Sequence, residues 1–395
     1  MKKPYYILLG LLLLMSNMMF ANRVAVSFDF CGETVSFSYD TARYVEFEAP
    51  LTVEAIERFY DEMEVADYSE VIAALNAYKV KDKPDDWLFY QLVRRTAQHI
   101  SPKSTNYNRY TLYKWYLMCK TGYDATLSVS PKKLLFYVQS DDAIYDIPTH
   151  LMNGKQYVCL NYHDYGSVNF EKEHFERLGV NHPESVHPFS YKITHLPDFR
   201  AEDYSDKNLE FSYYNNEYRF KVKVNKQIKV LFANYPVTDY QAYFDMPLSS
   251  GTYSTLIPAL KQYTEKMSQQ EGVDYLMRFT RYAFLYETDR QNFGKERRFS
   301  PEQTLLYDYS DCEDRSALFF YLVKEIYNLP MIVLAFPEHI TIAVKFDKPV
   351  GKPIIYQGSQ YSVCEPTPQK EDLNVGELSR ELKKASYEVV YAYQP

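Results

Sequence analysis

Two kinds of hydrophobic periodicity alternate along the chain. Residues 24–48 alternate apolar and polar side chains, which is typical of β-strands, and Gly32 marks the first turn. At Thr52 the apolar spacing changes to that of an amphipathic helix, with Thr52 as the candidate N-cap. Further helices and strands are predicted over Ser69–Tyr78, Trp87–Ile100, Tyr107–Thr121, Ala125–Val129, Leu134–Ser140 and Gln156–Leu160. Residues 22–165 are therefore predicted to form an N-terminal α+β domain.

The pattern changes again after a polar stretch at residues 166–186. Alternation predicts strands at Phe189–Ile193, Leu209–Tyr214, Arg219–Val224 and Ile228–Phe232. Together they predict a central β-rich, sandwich-like domain over residues 187–249. Residues 251–395 contain amphipathic helices followed by strands, so they are predicted to form a third, C-terminal domain. The fold class expected for the whole chain is α+β.

The first 21 residues have the organisation of a secretory signal peptide. Lys2 and Lys3 form a basic start, Tyr5–Leu14 is apolar, and Ala21 ends a candidate cleavage region. The apolar core is short for a membrane span, and no later segment is long and apolar enough for one. We therefore expect an exported protein, periplasmic or extracellular or peripheral to the cell surface, with no transmembrane segment in the mature chain.

Charge and cysteine usage narrow the classes of function. The net charge of −8 argues against a nucleic-acid-binding protein, which would carry a basic stripe. The five cysteines form no CxxC pair and no cluster with histidine, so a zinc site is not indicated. The 40 tyrosines suit β-structure and wet contact surfaces, but they do not name a ligand. Oligomeric state cannot be read from these features.

One cysteine lies where a turn leads into an apolar helix. Ser310 and Glu313 have the spacing of a capping box, which would make Ser310 the N-cap and Cys312 the second helical residue. The positive end of a helix dipole favours negative charge. The pattern therefore predicts that the Cys312 thiol loses its proton more easily than an ordinary thiol.

Two partners for this thiol follow in sequence. His339 is the only histidine after Cys312, and it begins a predicted strand. Glu365 starts a Glu-Pro-Thr turn at the end of a later strand. A thiol nucleophile needs a base for its proton, and the base needs a carboxylate that fixes its orientation. Cys312, His339 and Glu365 are therefore the candidate catalytic residues.

The helix-and-strand pattern around these residues occurs twice. Ala125–Ser140 aligns with Met331–Phe346 without a gap, and the alignment continues into the later strands. The first copy then has Tyr110, Lys133 and Leu160 in the positions of the three candidate residues. Either two α+β segments are similar by chance, or the N-terminal domain is an inactive copy of the C-terminal one.

The motifs resemble those of the transglutaminase-like superfamily of papain-type cysteine enzymes, particularly exported bacterial members. They are Asp311-Cys312-Glu313-Asp314, Pro337-Glu338-His339 and Tyr361-Ser362-Val363-Cys364-Glu365-Pro366-Thr367. The resemblance implies a papain-type domain over 251–395, with Cys312 as nucleophile, His339 as general base and acid, and Glu365 as the orienting carboxylate. This sequence departs from the family at one position, because the third catalytic residue is usually Asp in the family and is Glu365 here.

The resemblance implies an exported cysteine peptidase or amidase that forms a thioester with a protein or peptide substrate. The alternatives are protein-glutamine acyl transfer, which cross-links proteins, and a non-catalytic scaffold or binding protein with a remnant triad. Candidate oxyanion donors are the Cys312 amide and the side chains of Tyr309 and Gln303. No cofactor is required. Some bacterial members bind calcium at the positions of Asp311 and Glu313, although helix capping explains the same acids without a metal.

Overall fold

The computed structural model describes residues 22–179, 186–288 and 297–395, so the predicted signal peptide at 1–21 lies outside it. It contains both helices and sheets and belongs to the α+β class, as the sequence predicts. Its contacts divide into two compact units. The first unit runs to Asp141 and includes Ile147–Ser190, and the second contains Asp142–Asp146 and Tyr191–Pro395.

The first unit begins with an antiparallel hairpin, β1 (Arg23–Phe30) and β2 (Glu33–Asp40), followed by four helices. The helices are α1 (Val53–Val65), α2 (Ser69–Asp82), α3 (Asp86–Ile100) and α4 (Tyr107–Lys120). Thr52 caps α1 by accepting a hydrogen bond from the amide of Ala55 at 3.2 Å, which confirms the predicted start of this helix. The strands that follow are β3 (Ala125–Ser130), β4 (Lys133–Gln139), β5 (Thr149–Met152), β6 (Lys155–Cys159) and β7 (Glu176–Arg177).

The second unit contains a long hairpin, several helices and a second sheet. The hairpin strands are β8 (Tyr204–Tyr213) and β9 (Asn216–Asn225). The helices are α5 (Gln227–Leu231), α6 (Tyr240–Phe244), α7 (Ser250–Thr264), α8 (Gln269–Tyr282), α9 (Pro301–Leu306) and α10 (Cys312–Tyr327). The remaining strands are β10 (Leu285–Tyr286), β11 (Tyr309–Ser310), β12 (Met331–Phe336), β13 (His339–Val344), β14 (Ile354–Tyr356), β15 (Ser359–Cys364) and β16 (Glu388–Tyr393).

Residues 187–249 differ from the expected sandwich. The apolar face of the β8–β9 hairpin packs on a helix instead of on a second sheet, with the Phe211 ring centroid 5.1 Å from that of Tyr275 and 5.5 Å from that of Phe279. The strand predicted at Ile228–Phe232 is wrong, because this segment forms α5. Ile228 and Leu231 are both buried, and their separation of three residues suits one face of a helix as well as it suits a short apolar run.

The predicted recurrence of the helix-and-strand pattern is confirmed in strand order. The first unit has the order β5-β6-β4-β3-β7, and the second has β14-β15-β13-β12-β16. In each sheet a helix leads into a hairpin with a two-residue turn, so Ser130 pairs with Lys133 and Phe336 pairs with His339. The C-terminal sheet has an apolar core on one face, formed by Ile332, Leu334, Phe336, Ala343, Tyr361 and Val363.

No helix in the described ranges is both long enough and apolar enough to span a bilayer.

Candidate active site

Helix α10 begins one residue later than the sequence predicts. Asp311 is the N-cap, and its carboxylate accepts hydrogen bonds from the amides of Glu313 at 3.1 Å and Asp314 at 3.3 Å. The Asp314 carboxylate in turn accepts from the Asp311 amide at 3.3 Å. The predicted capping box of Ser310 and Glu313 is therefore wrong, and Cys312 is the first helical residue. Ser310 instead belongs to β11, where it is buried.

The start of α10 is fixed by a buried cation. Arg315 is fully buried, and its guanidinium donates hydrogen bonds to the carbonyl oxygens of Thr280 at 3.3 Å, Arg281 at 2.6 Å and Phe284 at 3.0 Å. A charged donor shared among several carbonyls holds the end of α8 against the first turn of α10. The position of Cys312 is therefore set by buried polar contacts as well as by apolar packing.

The Cys312 thiol is buried and has an acidic neighbour. It is 9% exposed, and its Sγ donates a hydrogen bond to Oε2 of Glu313 at 3.1 Å. Burial raises the pKa of Cys312 most, and the charges of Glu313 and Asp311 raise it further. The amide of Ile340 acts in the opposite direction and lowers it.

The predicted lowering of the Cys312 pKa is therefore wrong for this arrangement. A helix N-terminus stabilises an anion by about 0.3–1 kcal/mol. Two unit charges 4 Å apart near a protein surface interact by about 4 kcal/mol. The dipole argument considers the helix backbone alone, and burial together with the neighbouring carboxylates outweighs it.

His339 and Glu365 form the pair that the sequence predicts. Nε2 of His339 lies 2.8 Å from Oε2 of Glu365. The Glu365 side chain is fully buried, and its Oε1 accepts a hydrogen bond from the Thr367 amide at 2.9 Å. The guanidinium of Arg281 donates to the Glu365 carbonyl oxygen at 3.1 Å. These contacts leave Nδ1 as the ring nitrogen that is not engaged by the carboxylate.

Strand register brings this pair together. In the antiparallel pairing of β13 with β15, Ile342 lies opposite Cys364. Continuing that register places Glu365 opposite Thr341 and on the same face of the sheet as His339. The extra methylene of Glu relative to Asp is thereby accommodated, since the hydrogen bond to the imidazole has normal length.

The thiol and the imidazole lie at adjoining elements without bonding to each other. The Ile340 amide lowers the pKa of the Cys312 thiol. The Ser316 hydroxyl donates a hydrogen bond to the Ile340 carbonyl at 3.1 Å, which holds α10 against β13. Within the described part of the chain, however, Cys312 bonds to Glu313 and His339 bonds to Glu365. A direct hydrogen bond from the thiol to His339 would require the Cys312 side chain to leave Glu313.

Two tyrosines near the thiol were not identified from the sequence. Burial raises the pKa of Tyr286 and of Tyr240, and the nearby Cys312 sulfur adds to both increases. Tyr286 is 48% exposed and belongs to β10, which pairs with β11 just before Cys312. Of the proposed oxyanion donors, Tyr309 belongs to β11, and the Gln303 side chain caps α9 by accepting from the Ser300 amide at 3.0 Å.

The acids at the start of α10 suit calcium poorly. Ligand atoms of Asp311, Cys312 and Glu313 all lie within 4.8 Å of one another. Calcium takes six to eight oxygen ligands, whereas this group contains a sulfur and an Asp311 carboxylate already used for capping.

No protein-family model matches the chain, and no curated protein matches it either. The resemblance to transglutaminase-like enzymes therefore stays a prediction based on the motifs.

Proposed function

We propose that the C-terminal part of this chain is an exported cysteine hydrolase of the transglutaminase-like type that cleaves amide bonds in proteins or peptides. Cys312 is the nucleophile, His339 the general base and acid, and Glu365 the carboxylate that orients the imidazole. The observation that carries the proposal is the 2.8 Å contact between His339 and a fully buried Glu365 beside the α10 N-terminus.

The His339–Glu365 pair supports a catalytic role because of its geometry. A carboxylate on one ring nitrogen fixes the tautomer and stabilises the imidazolium that forms when the other nitrogen takes a proton. Glu365 has both side-chain oxygens occupied, one by His339 and one by the Thr367 amide, so the carboxylate cannot rotate freely. His339 keeps 14% of its side-chain surface exposed, which leaves a route for proton exchange.

The reaction would start from a neutral thiol. The Cys312 side chain turns from Glu313 toward His339, and Nδ1 of His339 takes the thiol proton while Sγ bonds to the substrate carbonyl carbon. The imidazolium returns that proton to the nitrogen of the leaving amine as the C–N bond breaks, which leaves a thioester on Cys312. Water then attacks the thioester and releases the acid and the thiol.

A non-catalytic protein with a remnant triad is the second candidate. The observation that favours it is the hydrogen bond from Cys312 to Glu313, together with a pKa of Cys312 raised by burial and by two carboxylates. In that case the thiol would be a buried polar group whose partner is Glu313. The two candidates differ in whether Cys312 can be acylated.

A small activated ester tests this without knowledge of the natural substrate. The native protein is incubated with p-nitrophenyl acetate, and the intact mass is followed beside Cys312→Ala. We expect one acetyl group on the native protein, located at Cys312 and lost with time in water. Adding a primary amine distinguishes hydrolysis, which yields acetate, from acyl transfer, which yields the acetamide. Equal labelling of the native protein and Cys312→Ala would remove the catalytic proposal.

A further inference from the structure

The first unit retains a polar cluster where the second unit has its candidate active site. Tyr107 is the first residue of α4, as Cys312 is of α10. The β4–β6 register pairs Tyr137 with Cys159, which makes Asn161 the equivalent of Glu365 and corrects the alignment of Leu160 with it. Tyr107 Oη accepts a hydrogen bond from Asn161 Nδ2 at 2.8 Å and donates to Asp164 Oδ2 at 2.9 Å.

Cations outnumber acids in this cluster. Lys114 on α4 is 1% exposed, and Arg94 on α3 is partly buried. The Asp164 charge raises the pKa of Lys114. Oδ1 of Asp164, however, already lies 2.6 Å from Nζ of Lys103. The Arg94 guanidinium donates to the side chain of Gln91 at 2.8 Å and forms no ion pair with any described carboxylate.

Several buried donors here have no acceptor among the described residues. Lys114 Nζ lies 4.6 Å from the centre of the Tyr110 ring and has no hydrogen-bond acceptor. Nε2 of Gln91 and the Tyr90 hydroxyl are buried and also without a partner. Leaving a buried polar group unpaired destabilises the fold, and leaving a buried charge unpaired destabilises it more. We call Tyr90, Gln91, Arg94 and Lys114 the donor cluster.

The donor cluster is also short of negative charge. Burial, and after it the neighbouring Arg94 charge, together lower the pKa of Lys114 to about 7. A buried ammonium beside a guanidinium is stable as a cation only when an anion neutralises it. Each side chain of the donor cluster carries a group that donates hydrogen bonds to oxygen.

We propose that the donor cluster binds a small oxyanion, either phosphate or a carboxylate, between Arg94 and Lys114. Arg94 offers a planar fork of N–H groups, and Lys114 offers a point charge, which together suit an anion with two or three oxygens. The first unit would then be a ligand-binding copy of the fold and not an inert one. This inference does not depend on catalysis by Cys312.

Calorimetric titration of the full chain with sodium phosphate, sodium sulfate and sodium acetate tests the proposal, with sodium chloride at matched ionic strength as the reference. We expect saturable binding of one oxyanion to the native protein. Stronger binding of phosphate than of acetate would identify a phosphate site, and the reverse order a carboxylate site. Absence of saturable heat for all three oxyanions would overturn the proposal.

Variants locate the binding. Lys114→Met and Arg94→Gln should each lower the affinity for the titrated oxyanion at least tenfold. Lys132→Met, at an exposed lysine in the β3–β4 turn, should leave the affinity unchanged. Arg94 is only partly buried, so Arg94→Gln tests the site even where Lys114→Met fails to fold. Unchanged affinity in Arg94→Gln, or an equal loss in Lys132→Met, would show that the anion binds elsewhere.

Discussion

The contact between Glu313 and Cys312 leads to the sharpest prediction about the thiol. Replacing Glu313 with Gln keeps the shape of the side chain and removes its charge. Sγ of Cys312 lies 3.1 Å from Glu313 Oε2, and charges at about 4 Å interact by about 4 kcal/mol near a protein surface, or roughly three pKa units. Glu313 is partly exposed, so solvent screening reduces the expected fall in the Cys312 pKa to about 1–2 units.

The assay is the pH dependence of alkylation by iodoacetamide, with the Cys312 peptide quantified by mass spectrometry. The other cysteines, Cys31, Cys119, Cys159 and Cys364, are all buried and serve as internal references. Because alkylation requires the thiolate, Glu313→Gln should be labelled about 10–100-fold faster than the native protein at neutral pH. The pKa is lowered by the substitution, so the rate profile moves toward lower pH.

Glu338→Gln is the matched control, because Glu338 is an exposed acid in the β12–β13 turn next to His339. It removes one charge close to the site without removing the partner of the thiol, and should change the rate less than threefold. An unchanged profile in Glu313→Gln, or the same shift in both variants, would refute the electrostatic reasoning.

The remaining predictions concern the base, the packing and the first unit. Glu365→Gln should slow acylation of Cys312 by roughly 10²–10⁴-fold in stopped-flow ester assays, because the imidazole loses its orienting charge, and an unaffected rate would contradict the role given to Glu365. Gly272→Ala should lower the free energy of unfolding in urea by about 1–3 kcal/mol, since a Cβ there would lie 1.5 Å from the Tyr327 hydroxyl, and no loss would mean that Tyr327 moves aside. In buffer without oxyanion, the pKa of Lys114 is about 7 in the folded protein and 10.5 in the unfolded chain. Between pH 7 and pH 10.5 the unfolded chain therefore binds one proton more than the folded protein. The free energy of unfolding should therefore rise by about 2 kcal/mol from pH 7 to pH 9, measured by urea titration, and Lys114→Met should lack this increase.

Much of the fold follows from local pattern. The start of α1 at Thr52 and the helix-to-strand order can be predicted because periodicity depends on nearby residues. The pairing of His339 with Glu365 was predicted from the order of the motifs along the chain. The helix at Gln227–Leu231 could not, since its short apolar run fits either period. The role of Glu313 was missed because sequence position says nothing about which way a side chain turns at a helix start.

The internal repeat shows the same limit. The repeated order of helix and strands is visible in the sequence. The correspondence of Asn161 with Glu365, however, depends on strand register, and a gap of a single residue in the alignment changes that register. The donor cluster is also invisible in sequence. Arg94 and Lys114 lie on different helices, and nothing in their spacing indicates that they belong to one cluster of hydrogen-bond donors.

The most direct test of the catalytic proposal is the dependence of Cys312 acylation on His339. The rate of acetylation by p-nitrophenyl acetate is measured by intact mass for the native protein and for His339→Ala. If His339 takes the thiol proton, the native protein should react roughly 10²–10⁴-fold faster. Equal rates in the two proteins would show that the thiol reacts without the imidazole, and would contradict the proposed mechanism.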